Sequence, residues 1–387
     1  MARERDAKPL GPTRLRIQVL EPYAAVSHRL QWEGLARHGA HELSIDSLPP
    51  RLWKFRMRTA SFHFARLLGE RAAGGEAPPD LIVASEYLSV AEMVPLLPPS
   101  WRAVPIVVDF HENQLTYPLQ EGEERDLHFA WSHLHAALVA RRVVFHSEFH
   151  RDELLAALPA LIRPVPDVDL GAIPGEIAAR AVVLPLGTDL PAAPPRLEPV
   201  EVPTILWSHR WEYDKAPERF LAAVQELRSA GEAFRVRLLG QRFREEPREL
   251  EDLRDLLGED LAGDAYLHSR GAYIEAIRGA EIVVSSARHE FFGLSTLEAI
   301  RSGLYPVLPA ALAYPELLPE EARAWPCLYP EGELAPALAE TLARVRRGED
   351  AERRRAIVAG TDRYAWERVA PRYDELFLAC TEQGGER

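Results

Sequence analysis

Short runs of consecutive apolar residues alternate along the whole chain with longer stretches in which apolar positions recur every three or four residues. The runs predict strands over 15–20, 81–85, 104–110, 143–146 and 182–184 in the first half. In the second half they predict strands over 204–208, 235–239, 265–267, 282–285 and 305–308. The stretches between them carry a helical period, clearest over 148–158, 217–228 and 295–301. Strands that are apolar on both faces belong to parallel sheets covered by helices on both sides, so the fold class is α/β.

The segment 190–203 reads LPAAPPRLEPVEVP, and five prolines in fourteen residues can continue neither a helix nor a central strand. It is a linker between two doubly wound, Rossmann-like domains. The expected division is a flexible tail over 1–13, an acceptor-side domain over 14–189, the linker over 190–203 and a second domain over 204–349. Residues 350–387 supply one or two amphipathic helices that return across the first domain. Ligands of such sheets sit beyond the carboxyl ends of the strands, so two facing sheets create a cleft.

Composition narrows the function classes. In 387 residues, 59 acidic side chains outweigh 46 basic ones, for a net charge of −13, which argues against indiscriminate nucleic-acid binding but permits a local basic patch. Cys327 and Cys380 stand far apart and fit neither a disulfide framework nor a zinc site. The charged N-terminus lacks a signal peptide's apolar centre, and no apolar run approaches the roughly 20 residues that span a bilayer. A cytoplasmic, reducing setting and no membrane partner are expected.

Three polar clusters lie at strand ends. In the first, Arg288-His289-Glu290-Phe291-Phe292-Gly293-Leu294-Ser295 follows a strand and opens a helix. Gly293 permits close backbone approach, and the amides around it suit a phosphate at the helix N-terminus. Ser295 and Glu298 have capping-box spacing. On one reading Glu298 only caps and Glu290 is solvated. On the other, the exposed pair Phe291-Phe292 forms the aromatic wall of a ligand pocket gripped by both carboxylates. A hydrolytic pair is disfavoured, because eight helical residues span about 12 Å whereas hydrolytic carboxyls sit roughly 5–10 Å apart.

The second cluster, 207–218, places Arg210 and Lys215 on a loop between a strand and a helix starting at Pro217. A guanidinium and an ammonium suit a departing pyrophosphate; the alternative is two solvated cations partnered by Glu212 and Asp214. The third cluster is the polar run His111-Glu112-Asn113-Gln114 at the end of a first-domain strand, where His111 is a functional candidate facing the cleft.

Taken together, Glu290 and Glu298 eight apart, Arg210 with Lys215, and strand-terminal His111 resemble the retaining glycosyltransferases of family four, which have the GT-B fold. More closely, HENQLTYP, HRWEYDKAPE and RHEFFG are similar to strings of the tRNA-queuosine mannosyltransferases, over about residues 20–312. The resemblance implies GDP-mannose as donor, queuosine at the wobble position of aspartate tRNA as acceptor, and retention of anomeric configuration. It assigns the diphosphate to Arg210 and Lys215, the phosphates also to backbone at Phe292, Gly293 and Leu294, and the ribose hydroxyls to Glu298. It assigns the transferred sugar to Glu290 and, from the opposite domain, to His111. The acceptor side falls to Ser27, His28, Glu112, Asn113 and Gln114. Catalysis in this family rests on charge stabilisation and positioning, with the leaving phosphate taking the acceptor proton, so no protein nucleophile, cofactor or metal is expected.

One departure stands out: the family's first loop carries glycines, whereas this chain reads Pro22-Tyr23-Ala24-Ala25-Val26 before Ser27-His28. Those two residues either serve the acceptor side or cap the following helix. The segment 51–58 interleaves Arg51, Lys54, Arg56 and Arg58 with Trp53, Phe55 and Met57. It is either an amphipathic helix with a cationic outer face or an RNA patch in which Trp53 or Phe55 stacks on a base; the resemblance favours RNA. His128, His133, His135, His146 and His150 match no metal-ligand spacing, and no Asp-x-Asp ends a strand. Two alternatives remain: a family-four enzyme acting on a lipid, glycan or small metabolite, and a non-catalytic module that binds nucleotide sugar or RNA. No obligate protein partner is called for.

Overall fold

A computed structural model describes residues 14–382 apart from 121, 166, 242–245, 268 and 350, so the tail expected over 1–13 lies outside the described residues. Among the described residues twelve strands form two six-stranded sheets, and every pairing between them is parallel. The first contains β1 (Arg16–Glu21), β2 (Glu42–Ser47), β3 (Leu81–Ser85), β4 (Ile106–Phe110), β5 (Arg142–Phe145) and β6 (Ala181–Val183), in the order β2-β1-β3-β4-β5-β6. The second contains β7 (Thr204–Ser208), β8 (Arg235–Leu239), β9 (Leu261–Ala265), β10 (Ile282–Val284), β11 (Tyr305–Pro309) and β12 (Leu328–Tyr329), in the order β12-β11-β10-β7-β8-β9. The strand order reverses between β1 and β3 in one sheet and between β7 and β10 in the other. At such switch points the following loops splay to opposite faces and leave a crevice for a ligand.

The central strands coincide with the apolar runs because both their faces are covered: all residues of β3, β4, β7 and β11 are buried. The expectation fails at the sheet edges. The edge strand β2, ELSIDS, is half solvated and carries no apolar run, and β12 is two residues long. β9 forms over Leu261–Ala265, not 265–267, beside a bulge at Val236/Arg237.

The segment 190–203 forms no helix or strand, and Arg301 holds its start by donating from Nε to the Leu190 carbonyl at 2.6 Å. The C-terminal helix Trp366–Glu382 packs on the first sheet, where Trp366, Val369, Tyr373 and Phe377 share a core with Ile17, Val19 and Trp32. Two glycines make this possible. A Cβ added at Gly34, in helix α1 (Val26–His38), or at Gly187 would lie 2.1 or 2.3 Å from the Trp366 indole. The ring thus lies against bare backbone on two segments of the first domain. Trp366→Ala is expected to destabilise the protein by about 3–5 kcal/mol, the usual cost of deleting a buried large aromatic. Urea unfolding measures it, and a cost under about 1 kcal/mol would show the anchor to be dispensable.

Candidate functional site

The second-domain half of the site is built from the loops after β7 and β10. Lys215 is buried, and its Nζ donates to the His289 carbonyl at 2.9 Å while pairing with Asp214 at 3.0 Å and Glu290 at 3.2 Å. Burial alone would drive the proton off this ammonium, but Asp214 and Glu290 outweigh it and raise its pKa. Both carboxylates are held ionised in turn: burial raises them, and Lys215 lowers them further. Arg210 is half exposed, pairs with Glu212 at 3.0 Å and reaches the Tyr117 hydroxyl of the other domain at 3.3 Å. The solvated-pair alternative therefore names the right carboxylates, Glu212 for Arg210 and Asp214 for Lys215, but Lys215 is buried and not solvated.

Gly293 caps the Leu294–Arg301 helix at φ +87°, a left-handed conformation that disfavours other residues. The expected capping box does not form. Ser295 Oγ donates to the Ser208 carbonyl at 2.8 Å, and buried Glu298 forms a bidentate pair with Arg270, one arm at 3.0 Å. Phe291 and Phe292, expected to be exposed, are buried. Phe291 stacks on His150 of the first domain at 3.7 Å and its carbonyl accepts from Ser147 Oγ at 2.6 Å, while Phe292 meets Tyr364. They are an interdomain wedge, because domain closure buries them where a lone loop would expose them. Tyr213 adds a bond to the Pro118 carbonyl at 2.7 Å, and Tyr117 packs on His289 at 4.6 Å.

Across the cleft, Glu21 at the end of β1 is fully buried and accepts four bonds, from the Tyr23 amide, Ser85, Trp32 and His28 Nδ1, all within 2.8–3.0 Å. Burial disfavours charge on His28, but Glu21 overrides it and pushes the imidazole up to about 9. The His28 ring stacks on His111 at 3.7 Å. Burial, with His28 and His146 adding repulsion, holds His111 well below the usual imidazole range, so it is neutral. Asp109 Oδ1 lies 2.8 Å from His146 Nε2 and 3.6 Å from His111 Nε2, and His146 Nδ1 is 3.0 Å from the Leu184 carbonyl. Among the described residues these three side chains form the group able to offer a metal three ligand atoms, all within 4.8 Å. Nothing in the sequence spacing foretold it, because Asp109 and His146 come from neighbouring strands.

The remaining first-domain candidates divide. Glu112 accepts from Tyr87 and, at 2.8 Å, from Gln114 Nε2. Asn113 is buried and spends its side chain on the Leu115 and Thr116 amides, shaping the loop and presenting no group to the cleft. Ser27 lies within the first turn of α1, whose cap is Ala25 with no side-chain bond, so Ser27 is not a helix cap.

The comparisons with known proteins fall on the same two halves. Residues 16–188 match the family profile described as tRNA-queuosine alpha-mannosyltransferase N-terminal, and residues 202–347 match glycosyl transferases group 1. The tRNA-queuosine alpha-mannosyltransferase of Drosophila melanogaster is 34% identical over 319 residues, which span 79% of this chain and 82% of that protein. The chain belongs to the tRNA-queuosine alpha-mannosyltransferase family. Solved structures with the same GT-B fold include sucrose-phosphate synthase from Thermosynechococcus elongatus, at TM-score 0.66 and 18% identity over 95% of this chain and 99% of that one. The catalytic domain of starch synthase IV from Arabidopsis thaliana, bound to ADP and acarbose, superimposes at TM-score 0.69 and 12% identity over 96% and 100%.

In this family member the basic segment opens helix α2 (Trp53–Ala73). Met57 is buried and Trp53 packs on Phe129 at 5.0 Å, as an amphipathic helix requires, while Lys54, Phe55 and Arg58 stay exposed and Arg56 is partly so. Phe55, Phe62 and Leu52 add exposed apolar surface between the cations. Sequence reasoning missed Arg270, Glu21 and Glu86. The last two had a signal: a single carboxylate at the end of, or just past, a buried and largely apolar strand.

The Glu21–His28 pair makes a pH prediction for the family member. An imidazole raised from 6.5 to about 9 stabilises the fold fully below pH 6.5, and that stability is lost as pH climbs to 9. The expected loss is roughly 3 kcal/mol across this window. His28→Gln should flatten that part of the stability curve, and an unchanged slope would count against the charged pair.

Proposed function

We propose that this protein transfers mannose from GDP-mannose to queuosine at the wobble position of aspartate tRNA, in the cytoplasm, with retention of anomeric configuration and without a metal ion. The observation that carries the reading is the meeting, at one switch point, of Arg210, buried Lys215 and the Gly293 helix tip, opposite neutral His111. The cations and helix tip suit the diphosphate, whose charge grows as the sugar–phosphate bond breaks. Glu298, oriented by Arg270, takes the ribose hydroxyls, and Glu290 takes hydroxyls of the sugar. His111 hydrogen-bonds the sugar as a neutral imidazole and so adds no positive charge beside the anomeric carbon, which itself becomes positive in the transition state. The leaving phosphate accepts the proton of the acceptor hydroxyl, and the bond to the acceptor forms on the face the phosphate leaves.

The exposed cations and aromatics of α2 support an RNA acceptor, since cations meet phosphates and a ring stacks on an unpaired base. Ser27, Glu112 and Gln114 are assigned to the acceptor on the first-domain side. No described helix is long and apolar enough to cross a membrane.

The decisive assay incubates the protein with GDP-mannose and tRNA either containing or lacking queuosine. A hexose mass increment on the queuosine-containing tRNA alone is expected; none on either tRNA would overturn the reading. Arg210→Ala and Lys215→Ala are each expected to lower turnover by about a hundredfold or more, the usual effect of removing one group that stabilises developing charge. Arg210 is half exposed, so its variant should keep the wild-type unfolding midpoint. Near-normal turnover of that variant would remove Arg210 from the diphosphate site.

A further inference from the structure

The first-domain switch point holds more acid than its bonds consume. Glu21 is saturated by its four donors and neutralises His28. Two further carboxylates lie beside it. Glu86, just past β3, is 1% exposed; its Oε1 accepts from the Glu112 amide at 3.1 Å, but its buried Oε2 meets no hydrogen-bond donor. Glu112 is partly exposed, and its two bonds, from Tyr87 and Gln114, both fall on Oε1.

Aromatic rings wall this acidic point. Tyr23 and Tyr87 lie 4.9 Å apart, Tyr87 is 6.3 Å from Trp53, and the last ring leads onto α2. On the other side this point borders the loop of Arg210, because Tyr117, five residues after Glu112 on the same loop, contacts Arg210. A bare buried carboxylate oxygen is costly, and it calls for a donor. Paired carboxylates bordered by tyrosine faces favour a cation, through ion pairing and through the negative face of each ring.

We propose that Glu86 and Glu112, walled by Tyr23 and Tyr87, form a subsite for a protonated amine that the acceptor carries beside the hydroxyl receiving the sugar. This deepens the function proposed above and rests on it for the identity of the acceptor. Queuosine has that chemistry, since its cyclopentenediol is joined to the base through a secondary amine that is protonated at neutral pH. Glu112 meets the amine from the cleft, and Glu86 behind it supplies the second acceptor. Without a cation, burial holds the Glu86 carboxyl well above the usual carboxylate range, with His28 opposing and Glu112 and Glu21 reinforcing. Guanosine lacks the basic secondary amine and the cyclopentenediol it bears, so the subsite would also reject unmodified tRNA.

The test compares wild type with Glu86→Gln and Glu112→Gln, using queuosine-containing tRNA as acceptor and cyclopentylamine as a small cationic probe, with cyclopentanol as its neutral control. Each variant should raise the acceptor KM roughly tenfold or more, as loss of one member of a desolvated charge pair does, and leave the GDP-mannose KM unchanged. Cyclopentylamine should compete with tRNA in wild type and lose that effect in Glu86→Gln, while cyclopentanol has none in either. An unchanged acceptor KM in both variants, or no competition by the amine, would overturn the subsite. If wild type does not modify queuosine-containing tRNA, the acceptor assignment falls on its own. The subsite is then judged by whether cyclopentylamine raises the unfolding midpoint of wild type and not of Glu86→Gln. A variant that loses the wild-type circular dichroism is set aside, and the other decides.

Discussion

The site depends on one buried ammonium. Lys215 sits out of solvent between Asp214, Glu290 and the His289 carbonyl, tying the loop after β7 to the loop after β10 across the switch point. Desolvating three ionised groups is unfavourable unless each finds its partner, so the geometry of both loops is fixed by the need to keep them together. Neighbouring backbone obeys the same demand: the Lys215 carbonyl accepts from Ser286 Oγ at 2.9 Å, and the Asp214 carbonyl accepts from the Arg288 amide at 2.9 Å. Once this cluster is set, the Gly293 turn and Arg210 are delivered to the same end of the sheet.

The opposite domain is organised by an uneven distribution of charge among histidines. His28 stays charged because a saturated carboxylate lies against it, whereas His111 stays neutral because it is buried against that charged ring. Burial does the same to His133, held at about 3, and His289, with Lys215 adding repulsion, is held at about 4. Two rings stacked on each other are thus held in opposite charge states, the His28 charge balanced by Glu21 and His111 left as an uncharged hydrogen-bonding group.

How far the sequence foretold this follows from where each signal is local. Central strands declared themselves because burial on both faces makes them apolar throughout; β2 escaped because an edge strand needs to be apolar on neither. The loops bearing Arg210, Lys215, Glu290 and His111 were legible, since polar groups directly after apolar strands have few structural reasons to be there. Contacts between distant segments were not. Ser295 and Glu298 have the spacing of a cap, yet Glu298 is claimed by Arg270, 28 residues earlier. Phe291 and Phe292 read as exposed because nothing in their own loop reveals that His150 and Tyr364 will cover them.

The return of the C-terminal helix to the first domain means that the polypeptide crosses between the halves twice. The crossings run side by side: Thr188 pairs with Ala365 as a parallel bridge, and its amide donates to the Tyr364 carbonyl at 2.9 Å. One tether would let the halves swivel and twist freely. Two adjacent tethers, with Trp366 pinned at the exit of the second, leave one easy degree of freedom, a rotation about the axis through both crossings. The contacts of Tyr117 with Arg210 and of Phe291 with His150 lie across the cleft that these two crossings hold together.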